Sequence, residues 1–127
     1  MKIKLLIFLI IFVLFCSSCS LEENTFKKTI EQLEQYKFDQ ISYYDEDMLK
    51  ILQENCLKSG IILKGQINDI VHFVKTTTKE WAYIYNFSLE DDAYLFIENY
   101  AGNWLHSRKF GKVVIFGECE YIRELKI

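Results

Sequence analysis

The 127-residue chain has no proline, two histidines, two tryptophans, four cysteines and only five glycines. With His72 and His106 as the sole histidines, and no Cys, Asp or Glu at ligand spacing from either, no zinc-type metal site can be read. Glu90-Asp91-Asp92 lacks the alternating ligands and glycine of a calcium loop and reads as a solvated turn. No Ser/His/Asp or Cys/His constellation, paired-carboxylate motif or phosphate-cradling glycine loop occurs. An enzyme therefore has no candidate catalytic residue, and no cofactor is implied. Positive charge is also short: fifteen Lys and Arg against eighteen Asp and Glu leave −3, and −5 once Lys2 and Lys4 are set aside. A nucleic-acid binder needs a basic footprint to displace counterions from phosphate, so nucleic acid is not an expected partner. The missing proline says little beyond composition.

What is present begins at the first residue. Lys2 and Lys4 make a basic start, Leu5 to Phe15 is unbroken apolar sequence, and small polar residues lead into Cys19. This is the layout of an export signal. The run is shorter than the ~20 residues that a spanning helix needs. Ending on Cys19, it resembles a bacterial lipoprotein signal, although Cys16 stands where such signals usually carry Leu. The resemblance implies cleavage before Cys19, lipidation of Cys19, and a protein tethered to a membrane in the cell envelope, on a periplasmic face or the cell surface. Two cysteines follow, Cys56 and Cys119. Outside the cytoplasm they can form a disulfide, or each can stay a buried thiol packed as a small hydrophobe.

Half the residues are apolar, enough for one folded domain with a modest core. Phe26, Ile30 and Leu33 recur at helical spacing and predict a helix from Phe26 to Tyr36. Asp39 to Tyr44 breaks that pattern. A second helix is expected from Asp45 to Lys58, with acids in its first turn and Ser59-Gly60 as its stop. Beyond Gly60 the period becomes two. Strands are expected over Ile61–Val74 with an interruption near Gly65, over Trp81–Phe87, over Ala93–Tyr100, and over Lys112–Ile122 with an interruption at Gly117. One or two helical turns are expected within Ala101–Gly111. The rival for the third strand is a helix across Leu89 to His106, because Leu89, Ala93, Phe96, Ile97 and Tyr100 also fit a helical period.

The segment Glu54-Asn-Cys-Leu-Lys-Ser-Gly-Ile-Ile-Leu-Lys-Gly-Gln-Ile-Asn-Asp-Ile70 resembles the opening of the tRNA-anticodon-binding-like OB-fold family. Phe110-Gly-Lys-Val-Val-Ile-Phe-Gly-Glu-Cys119 resembles a later strand of the same family. The resemblance implies a mainly β, α+β domain: a small five-stranded OB-like Greek-key barrel preceded by one or two helices. The chain then divides into a signal peptide (1–18), a tether (19–25), an N-terminal helix and linker (26–44) and the OB-like domain (45–127). The family carries no catalytic motif, and its name implies no work on tRNA.

OB barrels bind ligands on the face of strands two and three. Trp81, Tyr83, Tyr85 and Phe87 share one parity, opposite Ala82 and Ile84; Tyr94, Phe96 and Tyr100 would share another. Either this aromatic side is an exposed stacking platform or it fills the core. On the first alternative Trp81, Tyr83, Tyr85, Tyr94, Phe96 and Trp104 are the candidate contacts. The expected function is a non-catalytic, membrane-anchored binding domain with a protein or small-molecule partner in the envelope. The alternatives are an inhibitor or immunity-type protein, or a structural surface lipoprotein.

Overall fold

The computed structural model describes residues 25–104 and 106–127. Cys19, the signal segment and residues 20–24 of the tether lie outside the described residues. Residues 25–35 form the first helix, α1. Its stripe is anchored by fully buried Leu33, with Phe26 and Ile30 packed alongside. The helix stops at Lys37, whose positive φ of 69° turns the chain so that the Phe38 N–H donates to Leu33 O at 3.1 Å.

The second helix, α2 (Glu46–Lys58), starts at Asp45, whose carboxylate accepts the Met48 N–H at 2.9 Å. Such a cap typically contributes about 1 kcal/mol. Gly60 (φ 85°) ends it, and the Ile61 N–H returns to Cys56 O at 2.8 Å. Both ends follow the sequence cues.

Five strands make one antiparallel sheet: β1 (Asp39–Tyr43), β2 (Ile67–Lys75), β3 (Glu80–Phe87), β4 (His106–Phe110) and β5 (Val113–Glu118), in the order β1-β2-β3-β5-β4. The protein is therefore α+β and mainly sheet. Among the described residues β1 and β4 are the two edges and do not pair, so the sheet is open. The connection from β3 to β4 runs through α3 (Glu90–Asn99) and a 3-10 turn at Ala101–Asn103.

That connection corrects the expected strand over Ala93–Tyr100. The helical rival wins because Ala93 and Phe96 bury one face against the sheet. Three acids in the first turn also suit the positive end of a helix. Residues 39–43, where the helical pattern broke, form the edge strand β1. Its side chains are mostly exposed and it is held by backbone pairing to β2, with a bulge between Gln40 and Ser42. Residues 61–66 are not strand. Three of their N–H groups go to side chains instead: Lys64 and Gly65 to Asp92, Gln66 to Ser88 Oγ. Nor does a strand continue to Ile122, since β5 stops at Glu118 and a second 3-10 turn covers Glu120–Glu124.

Helices cover both faces. On one, α1 and the C-terminal turn close over Val71, Phe73, Ala82, Ile84, Val113 and Ile115. On the other, α2 and α3 close over Ile70, Tyr85, Phe87, Val114 and Phe116. Strand β5, between β3 and β4, is buried on both sides from Val113 to Gly117. Each fully buried large side chain contributes about 1.5–3 kcal/mol of transfer free energy.

Candidate functional site

The parity of β3 sends Trp81, Tyr83, Tyr85 and Phe87 to the α2/α3 face, but the helices cover only half of that row. Tyr85 and Phe87 lie beneath α3, where Tyr85 stacks on Phe96 at 4.6 Å between ring centroids. Trp81 and Tyr83, nearer the β2–β3 turn, are only partly covered. Beside them His72 stacks on Tyr83 at 4.1 Å and an interplanar angle of 6°. Trp104, just after the 3-10 turn, meets Trp81 edge-on at 5.0 Å and stays 36% exposed.

These side chains, with Val74 and Lys79, line a shallow groove of about 410 Å³. Tyr83 stacks on buried Phe116 beneath, at 5.7 Å, so the floor is rigidly backed. The turn that delivers Lys79 has positive φ at that residue (62°), with its N–H on Lys75 O at 2.8 Å. Gly117 of β5 is required here. At φ 155° its position leaves no room for a Cβ, which would collide with the Trp81 carbonyl oxygen.

Burial holds the His72 imidazole below its ordinary pKa, so at neutral pH it is an uncharged ring. Burial, with the hydroxyl of Tyr44 nearby, raises that of Tyr83. The groove thus offers flat apolar faces, one phenol and one ammonium, Lys79. Its lining includes no carboxylate. That set suits stacking on a planar or ring-shaped group with a weak preference for negative charge.

The six sequence candidates separate. Trp81, Tyr83 and Trp104 come together in the groove. Tyr85 and Phe96 are core residues, at 5% and 2% exposure. Tyr94 is exposed on α3, hydrogen-bonded to Glu98 and outside the groove lining. His72 and Lys79 were not among the candidates. The parity of β2 opposite β3 could have found His72, which is the register partner of Tyr83.

Other features take different places from those expected. Asp92 is not solvated: it is 1% exposed and accepts the Lys64 and Gly65 N–H groups at 2.8 and 2.7 Å. Cys56 and Cys119 are free thiols buried on opposite faces of the sheet, which matches the buried-thiol alternative and not the disulfide. Burial pushes the Cys119 thiol up to about 11. A second recess, also about 410 Å³, is lined by Glu80, His106, Glu118, Cys119 and Glu120. The buried Nδ1 of His106 has no hydrogen-bond partner. Among the described residues no group of three or more His, Cys, Asp or Glu is placed to hold a metal ion. No helix among them is long and apolar enough to cross a membrane. No family model, characterised protein or solved structure matches the chain.

Proposed function

We propose that this is a non-catalytic binding domain, held at the outer side of a membrane by acyl chains on Cys19. Its binding site is the groove of Trp81, Tyr83, Trp104 and His72. The observation that carries the reading is the half-covered aromatic row: aromatic area kept partly open above a packed floor is what a stacking site requires. The partner is an envelope protein or small molecule presenting a flat group. The anchor rests on the basic, apolar and small-residue order before Cys19. Kinship with the OB-fold family is part of the proposal; five antiparallel strands and the helix before them favour it, and the open sheet counts against a closed barrel.

A photo-crosslinking residue at Lys79, on the lip of the groove, tests this in the full-length protein in its native cells. A single crosslinked species that disappears with Tyr83→Ala or Trp81→Ala, while the fold persists by circular dichroism, supports the groove. Crosslinks insensitive to both changes argue against it.

The second reading, an inhibitor or immunity-type protein acting through protein contact, is favoured by the Glu80/Glu118/Glu120 recess. It calls for a basic partner. A crosslinker at Glu120 that captures a protein when one at Lys79 does not would select it.

A further inference from the structure

Thr25 lines a recess of about 280 Å³ together with Glu90, Phe110, Gly111, Lys112 and Ile127, at the β4–β5 turn. The Phe87 N–H donates to Lys112 O, which sets this turn beside the C-terminal end of β3. The aromatic groove is at the other end of the same strand, where Trp81 faces Glu118 and Lys79 closes the β2–β3 turn. Eight residues of β3 span about 25 Å between the two ends.

Six peptide steps separate Cys19 from Thr25, a reach of at most about 20 Å. A lipid on Cys19 therefore holds the β4–β5 end close to the bilayer. The charge distribution agrees. At that end, among the described residues, Lys27, Lys28, Lys109 and Lys112 outnumber Glu31 and Glu90, with Lys109 on Glu90 at 2.8 Å. The excess of −5 in the chain from Cys19 onward is thus carried by the rest of the domain, which anionic headgroups repel.

We propose that the face around the start of α1 and the β4–β5 turn rests on the lipid headgroup layer. The aromatic groove then opens away from the membrane and takes a water-borne partner, not a membrane lipid. This rests on the Cys19 anchor proposed above.

The test uses the full acylated protein, reconstituted in vesicles of phosphatidylcholine with a minor share of phosphatidylglycerol, with and without bromine on the acyl chains. Trp81 and Trp104 are the only tryptophans and both line the groove, so native emission reports that end. The expected result is native emission unchanged by brominated lipid, and about half of the emission added by Lys28→Trp lost to it, as for a side chain in the interfacial layer. Lys27 and Lys28 are both exposed, so Lys27→Trp serves as a second probe of the same face. Quenching of the native tryptophans, or none at either introduced tryptophan, in protein that floats with the vesicles overturns the orientation and leaves the anchor standing. Intact mass without acyl chains at Cys19 overturns the anchor and the orientation together.

Discussion

The two ends of the aromatic row on β3 share a strand, a parity and a residue class, yet only one end is core. Phe87 and Tyr85 lie under α3, which Phe96 pins to the sheet; Trp81 and Tyr83 extend past the helix and meet Trp104 and His72 instead. Strand alternation decides which side of a sheet a residue occupies. Whether that side is covered is decided by the length and placement of the element above it. A ten-residue helix spans about 15 Å, shorter than the strand beneath.

Four measurements break or sharpen this contrast. Phe87→Ala, at the covered end, should cost about 3–5 kcal/mol in urea denaturation, because Phe87 is fully enclosed. Asp92→Ala should cost about 2 kcal/mol by releasing the two backbone N–H groups that tie the loop before β2 to α3. A loss near zero would mean that the loop needs no tie. Trp81→Ala, at the open end, should cost less than Phe87→Ala, about 2 kcal/mol. A loss equal to that of Phe87→Ala would erase the distinction between the ends.

The smallest effect concerns pH. The His72 pKa is lowered in the folded protein, so the unfolded chain binds the proton first as pH falls. Stability should be level above the unfolded value of about 6.5 and decline below it. His72→Gln should flatten that decline in melting temperature measured against pH. An unchanged slope would show that His72 is not the group responsible.

How much of this could be read from the chain follows the same contrast. The α2 boundaries were legible because Asp45 and Gly60 act locally, through a carboxylate cap and a positive φ. Strand β3 was legible because its alternation is strict. Helix α3 was ambiguous because Ala93, Phe96 and Ile97 satisfy both periods, and only burial against Phe116 and Tyr85 separates them. Strand β1 left no pattern, since an edge strand with exposed side chains is specified by its backbone partner in β2. Three groove residues were legible as aromatics. Their separation from Tyr85, Phe96 and Tyr94 was not, because it depends on where α3 ends. Asp92 was misread for a related reason: an acid in a helix's first turn usually faces water, and its loop partners lie 27 and 28 residues away in sequence.

The construction of Trp104 has a further consequence. Its indole is set by the three-residue turn Ala101–Asn103, whereas Tyr83 and His72 are set by the sheet. Gly102 locks that turn, since a Cβ there would strike the Ile97 carbonyl. The aperture of the cleft is thereby encoded separately from its base. Lengthening or trimming this one connection re-gauges what can enter while every sheet hydrogen bond stays in place, which gives such a module an inexpensive path to new specificities.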